Sequence, residues 1–208
     1  VDARPAGRGA MRAVLTGLTQ SREGFDALPA VAGELETLAA LLKAPVLRDS
    51  AFTVGALRAA LERAPAGVIH VASHGQFAPE ATQSFLLAWD GRFTMPQLRE
   101  ALAAAKLREE PVELLTLSAC QTAAGDERAA LGLAGVALSA GARSALATLW
   151  SVNDESTAAL VTDFYARLVR DGATKAEALR GAQVALIRDE RFSHPAFWGP
   201  FLLIGNWL

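Results

Sequence analysis

Two stretches of this chain are apolar for the length of a strand and then turn abruptly polar. Val68-Ile-His-Val-Ala-Ser-His-Gly75 and Leu114-Leu-Thr-Leu-Ser-Ala-Cys-Gln-Thr122 each end in a small, reactive tip. A near-continuous apolar run of this length marks a strand buried on both faces, and such a strand needs helices above and below its sheet. The rest of the sequence supplies them. Met11–Gly17, Gly67–Ala72, Val112–Leu117, Ser144–Val152 and Pro200–Ile204 read as strands, with Val46-Leu47 as a short one. Pro29–Leu42 places leucines 35, 38, 41 and 42 at helical spacing and ends at Pro45. Thr53 and Thr94 are N-cap candidates for helices running to about Arg63 and Lys106. Arg128–Ala140 reads as a helix of small residues closed by Gly141, and Asn153 or Asp154 caps one that ends at Asp171-Gly172. Thr174-Lys-Ala-Glu177 is a capping box for a helix to about Arg188. Ser84–Thr94 reads as a hairpin about Asp90-Gly91. This alternation predicts an α/β domain with a mostly parallel sheet and helices on both faces. No internal repeat or linker divides it: residues 1–10 read as a disordered or linker segment, and residues 11–208 as one domain.

The bulk numbers narrow the function classes. A chain of 208 residues buries about 70% of its unfolded surface, enough for a core without staples. The net charge is −2 and the basic residues are scattered, so no nucleic-acid footprint is expected. No run of 18 apolar residues exists, so no membrane span is expected. One cysteine excludes an internal disulfide and a Cys-rich zinc site, and fits a reducing, cytoplasmic setting. The Val1 start and loose first residues read as a fragment or processed product with no visible signal peptide.

The chemistry gathers where strands end. In an open parallel sheet, ligands bind beyond the carboxyl ends of the strands. Cys120 and His74 both stand just past such ends. A lone cysteine is most often an inert small hydrophobe. Here, however, Gln121-Thr122-Ala123 leads into a loop, where a thiol is open to activation by a base. Gly75 permits a sharp turn with an open N–H. His70 lies inside its strand and reads as a core residue, and His194, before Pro195, as a loop residue. Trp150, Ser151 and Asp154 emerge at the end of another strand, where Asp154 is either a helix cap or the wall of a pocket. Asp126 and Glu127 read first as a solvated acidic loop. Ala137-Leu-Ser-Ala-Gly141 mimics a nucleophile elbow, but Ser139 sits before a strand, in the reverse order. There is no phosphate-binding glycine motif and no metal-ligand spacing among the histidines, so neither a cofactor nor a metal is expected.

Four segments in order carry a family resemblance. Ala72-Ser-His-Gly75, Leu117-Ser-Ala-Cys-Gln-Thr122, Ala140-Gly-Ala-Arg-Ser-Ala-Leu-Ala-Thr-Leu-Trp150 and His194-Pro-Ala-Phe-Trp-Gly-Pro-Phe-Leu-Leu-Ile-Gly205 resemble the CHAT domain, a caspase-like cysteine peptidase domain often fused to TPR repeats. Leu28-Pro-Ala-Val-Ala-Gly-Glu-Leu-Glu-Thr-Leu-Ala-Ala-Leu-Leu42 resembles the first helix of that family. His74 precedes Cys120 by 46 residues, similar to the spacing of roughly 50 in caspases. The resemblance implies a caspase–hemoglobinase-like three-layer sandwich with a six-stranded sheet, and a His74–Cys120 dyad. Gln121 stands where glutamate is common, and the loop after Cys120 is short on glycine, which bears on the shape of the groove.

The expected activity is that of a cysteine endopeptidase acting on protein or peptide substrates, with the N–H groups of Gly75 and Cys120 as oxyanion donors. Caspases carry a basic residue soon after the equivalent tryptophan; Ser151, Val152, Asn153 and Asp154 follow Trp150 here. Cleavage after a basic residue is therefore expected, with Asp154 as its partner, Asp126 in reserve, and Trp150 and Ser151 lining the pocket. The resemblance also implies control by a partner or an upstream TPR-type module. The rival reading is a non-catalytic caspase-like signalling or assembly module.

Overall fold

Alternation decides which side of each central strand faces which layer. The computed structural model describes residues 12–63, 67–77, 84–106, 112–118, 121–122, 135, 138, 141–150 and 152–208. In chain order these form β1 (Ala13–Gly17), α1 (Ala30–Leu42), β2 (Val46–Arg48), a 3-10 turn (Asp49–Ala51), α2 (Val54–Arg63), β3 (Val68–Ala72), β4 (Gly75–Phe77), β5 (Phe85–Ala88), β6 (Gly91–Thr94) and α3 (Met95–Lys106). Then follow β7 (Leu114–Ser118), β8 (Gln121–Thr122), β9 (Ser144–Thr148), α4 (Asp154–Arg170), α5 (Lys175–Arg188), α6 (Pro195–Trp198) and β10 (Phe201–Gly205).

The described residues build a six-stranded sheet in the order β10-β9-β7-β3-β1-β2. Every neighbouring pair is parallel except β9 and β10. Successive side chains of a strand point to opposite faces. Val68 and Ala72 of β3 and Leu114 of β7 therefore join the core formed with Val31, Leu35 and Leu38 of α1, Leu160 and Phe164 of α4, and Ala178 and Ala182 of α5. Ile69, Val71, Leu115 and Leu117 face the other way, against Leu57 and Leu61 of α2 and Leu98 and Leu102 of α3. The result is three layers with a core on each side of the sheet, as the alternation of elements predicts.

The helix ends follow local chemistry. Thr53 Oγ1 accepts from Ala56 N at 3.0 Å. At α3, Gln97 Oε1 accepts from Thr94 N at 2.8 Å, so the cap is reciprocal. Asn153 caps α4 through Ser156 N at 3.0 Å, and Thr174 and Glu177 form the expected capping box. α1 stops at Lys43, which turns left-handed at φ 52, two residues before Pro45. Gly17 lets α1 lie close to the sheet: a Cβ there would stand 2.6 Å from Ala72 O and 2.8 Å from Val31 Cγ1.

Several expectations are corrected. β9 ends at Thr148, not Val152. The hairpin turns at Trp89-Asp90, and Gly91, at φ 152, opens β6. Asp90 Oδ1 accepts from Val54 N at 2.8 Å, so the turn residue also caps α2. His194 is not a plain loop residue but the N-cap of α6, its Nδ1 accepting from Ala196 N. Most of Arg128–Ala140 lies outside the described residues. Gln121-Thr122 is a strand rather than the start of a loop, in a second sheet of order β6-β5-β4-β8. Among the described residues, no helix is long and apolar enough to cross a membrane.

Candidate active site

β3 leaves the large sheet at Ala72 and enters the small one at Gly75, with His74 in the bend. The bend is held by backbone and side-chain bonds. Ser73 N donates to Ser118 O at 3.1 Å, Ser73 Oγ to Leu87 O at 2.6 Å, and Leu87 N to His74 O at 2.8 Å. His74 is only 5% exposed. The Phe25 ring lies 5.0 Å from it at a tilt of 31°. Its Nε2 is 2.8 Å from the carbonyl oxygen of Asp26. A carbonyl only accepts, so this contact requires a proton on Nε2 and leaves Nδ1 for exchange with another group.

Asp26 and Phe25 are carried by a loop that is fastened at its neck and its tip. At the neck, Leu28 N donates to Thr19 O at 3.1 Å. Asp49, itself left-handed at φ 49, accepts from Thr19 N and Thr19 Oγ1, both at 2.8 Å. At the tip, Arg22 and Phe25 bridge across Glu23 and Gly24, whose φ values of 48 and 84 make a two-residue turn of type I′. The Arg22 guanidinium lies 3.8 Å above the Trp89 ring, and Arg92 stands 3.5 Å from Glu23. The β5–β6 hairpin thus pins the loop that meets His74. Ser21–Leu28 reads from sequence as a plain loop, and the contact with His74 gives it a role.

The strands on either side of the second tip pair with those on either side of the first. Ala72 pairs with Ser118 across β3 and β7. Beyond the tips, Gln76 pairs with Gln121 and Phe77 with Thr122, again in parallel. Neighbouring strands lie about 4.8 Å apart. Gly75 sits within β4 rather than in a sharp turn, which corrects the expectation from its identity. It pairs with Leu86, and the bond from Leu87 N to His74 O makes that pair a non-hydrogen-bonded one. The Gly75 N–H therefore points away from β5. Cys120, Asp126 and Ser151 lie outside the described residues.

Asp154 and Trp150 are described. Trp150 is 40% exposed beyond the end of β9, and its Nε1 donates to Ala196 O at 3.4 Å. Asp154 does not cap its own helix. Its Oδ2 accepts from Ala30 N at 2.7 Å, capping α1 from across the domain. Burial holds the Asp154 carboxyl above its ordinary range. The Ala30 N–H pulls it down, the charge of Glu34 pushes it up, and His74 pulls it down.

Beneath the tips lies a buried polar cluster that the sequence only half announced. His70 is fully buried, as its place in a strand implied, and its Nε2 stands 2.8 Å from Glu34 Oε1. That approach is close without being aligned as a hydrogen bond. Ser118 Oγ donates to Glu34 Oε2 at 3.1 Å. Tyr165 packs edge-on to His70 at 5.7 Å and shares a 2.8 Å bond with Thr116 Oγ1, while burial pushes its phenol well up. Glu34 was missed, yet there was a signal: it falls in the helical stripe of Val31, Leu35 and Leu38, where an acid is out of place.

Comparison with known proteins agrees with the fold. The model of the CHAT domain family matches residues 3–206. Mouse tetratricopeptide repeat protein 28 is 36% identical over 117 residues, which is 53% of this chain and only 5% of that protein. Among solved structures, the Arg-specific cysteine proteinase gingipain R superposes with a TM-score of 0.65 at 10% identity, covering 95% of this chain and 47% of that one. A complex of the pro- and mature domains of Porphyromonas gingivalis RgpB gives 0.61 at 10% identity, covering 95% and 48%. At that identity the likeness is one of fold: a caspase–hemoglobinase-like three-layer sandwich about a mostly parallel six-stranded sheet. The family match spans nearly the whole described domain, and the chain belongs to the CHAT domain family.

Proposed function

We propose that this domain is a cysteine endopeptidase in which Cys120 is the nucleophile and His74 the proton carrier. The observation that carries the reading is the pairing of the strands on both sides of the two tips. Ala72 is matched to Ser118 before them and Gln76 to Gln121 after them. His74 follows Ala72 by two residues and Cys120 follows Ser118 by two. Strands matched in register on both sides of the two tips support a reading in which both tips serve one scissile bond.

In this reading His74 Nδ1 takes the thiol proton while Nε2 stays on the Asp26 carbonyl. The thiolate attacks the peptide carbonyl, and the N–H groups of Gly75 and Cys120 hold the oxyanion; each such donor is worth about 3–4 kcal/mol in mutagenesis. Collapse gives a thioester, and His74 returns the proton to the leaving amine. Water, deprotonated by His74, then releases the acid and restores the thiol. No metal or organic cofactor takes part.

The residue before the scissile bond is proposed to be basic. Asp154 uses one carboxyl oxygen on Ala30 N–H, and a carboxylate has lone pairs to spare for a guanidinium or ammonium. Asp126 is the reserve, with Trp150 and Ser151 beside them. Gingipain R is described as Arg specific, which runs in the same direction. Control by a TPR-type module or another partner is also proposed. A TPR protein is among the relatives, and one solved neighbour is held in a complex with its pro-domain. A cytoplasmic location is proposed from the single thiol.

The test is covalent labelling of the full-length protein with irreversible thiol-directed peptides ending in Arg or Asp. Labelling at Cys120 by the Arg peptide, lost in His74→Ala, is expected. Undiminished labelling of His74→Ala removes the dyad. No labelling of the wild type with its activating partner present leaves the non-catalytic module as the reading. Preference for the Asp peptide removes the basic pocket, and an unchanged Arg preference in Asp154→Ala removes Asp154 from it.

A further inference from the structure

We propose that Glu34 is a positioning residue for the dyad, a single buried carboxyl that ties together the two strands whose ends carry His74 and Cys120. The proposal rests on the cysteine-peptidase reading. Glu34 reaches down from the first turns of α1 and is only 2% exposed. One of its oxygens meets His70 on β3, four residues before His74. The other accepts from Ser118 on β7, two residues before Cys120. In the parallel register His70 lies beside Thr116 and Ala72 beside Ser118, so His70 and Ser118 are diagonal neighbours on one face of the sheet. A side chain held by both fixes how far one strand can slide or twist against the other.

The same carboxyl also acts on the far side of His74. α1 begins directly after the loop that brings Phe25 and the Asp26 carbonyl to the His74 ring. Asp154 holds the first turn of α1 through Ala30, and Glu34 holds the next one against β3 and β7. Glu34 therefore sets the height of α1 above the sheet, and with it the place of the carbonyl that orients His74.

Stability alone does not account for the cluster. Leu15, Val31, Leu35, Val68 and Leu114 on this face pack without polar atoms, and the neighbouring Thr116 and Tyr165 satisfy each other. Both ring nitrogens of His70 lack an aligned hydrogen bond among the described residues. Buried polar groups are ordinarily satisfied, and an exception calls for a reason. A bridge between the two strands that bear the reactive groups supplies one.

The experiment uses the full-length protein and three variants: Glu34→Gln, Ser118→Ala and Tyr165→Phe. The last removes the bond from the phenol to Thr116 but keeps the ring against His70, so the Glu34 contacts stay and destabilisation alone is reported. Steady-state turnover of a peptide, thermal melting, and the alkylation rate of Cys120 by iodoacetamide, native against denatured, are measured for each. Glu34→Gln is expected to lower kcat by about 10- to 100-fold, as small misplacements of reacting groups do, with KM within about twofold. Native Cys120 alkylation slows with it. Ser118→Ala, which cuts only the β7 arm, moves the same way by less, and it decides the matter if Glu34→Gln does not fold. Tyr165→Phe lowers the melting temperature and leaves kcat of the folded protein unchanged. Loss of activity in proportion to the unfolded fraction, or an equal loss in Tyr165→Phe, overturns the positioning role. A wild type that neither turns over peptide nor alkylates faster folded than unfolded removes the peptidase reading itself, and the positioning role with it.

Discussion

His74 Nε2 and the carbonyl oxygen of Asp26 lie 2.8 Å apart although 48 residues separate them. The bond freezes both the tilt of the ring and the nitrogen that is free to exchange a proton. It also makes His74 part of the packing, since Phe25 lies against the ring. His74→Ala should therefore cost about 1–3 kcal/mol of stability besides ending reactivity at Cys120. Chemical denaturation together with inhibitor labelling checks this; unchanged stability means that the ring is not held as described.

Asp49 makes the neck of the loop. It accepts two bonds from Thr19 while sitting at a positive φ, a conformation that Asn and Asp tolerate better than other side chains. Asp49→Ala should lose about 1–3 kcal/mol, and Asp49→Asn much less. Amide exchange at Thr19 and Leu28 should speed up in the alanine variant before exchange in β1 does. Uniform acceleration through the domain would mean that the neck has no local role.

Gly17 is a point of close approach between α1 and the sheet. A methyl group would stand 2.6 Å from the Ala72 carbonyl, which is backbone in a central strand and cannot give way. Gly17→Ala should destabilise by about 1–3 kcal/mol, which lowers Tm by several degrees in a chain of this size. An unchanged melting curve would show that α1 moves away freely.

Asp154 gives a pH dependence of definite sign. Its carboxyl is held above the ordinary range, chiefly by burial, so the folded state keeps the proton longer than the unfolded state. The associated stability is fully present below the ordinary carboxyl range and is lost as pH rises through the raised value. At neutral pH the ionised group costs stability. Asp154→Asn keeps an acceptor for Ala30 N–H and removes that cost. It should be more stable than wild type near neutrality, by less than about 1 kcal/mol at this half-exposed site, with the gap closing as pH falls. Urea titrations of both proteins across the acid range test it; a gap of the opposite sign defeats the assignment.

The pattern of these successes and omissions follows the range of the forces. Thr53, Thr94, Asn153 and Thr174 were legible as caps because a cap is decided within four residues. The parallel sheet was legible because burial on both faces leaves a run of apolar residues. The pairing of β4 with β8 was not, since two residues carry no period and their partners lie far along the chain. The same holds for the Asp26 carbonyl, which any residue type would provide. Of the two cap candidates Asn153 and Asp154, Asn153 caps α4, while Asp154, readable as a cap or a pocket wall, meets the N–H of Ala30 on a helix far away in sequence. Of the site residues read from sequence, His74, Gly75, Trp150 and Asp154 fall among the described residues.

The large sheet is parallel until its last pairing, where β10 returns against β9. During synthesis on the ribosome, β9 emerges long before Phe201, with Ser144-Ala-Leu-Ala-Thr148 presenting a bare row of amides and carbonyls. Such an edge recruits other chains. The nascent domain is open to aggregation at that edge in the interval, and a version trimmed just before Phe201 would leave the vulnerability permanent.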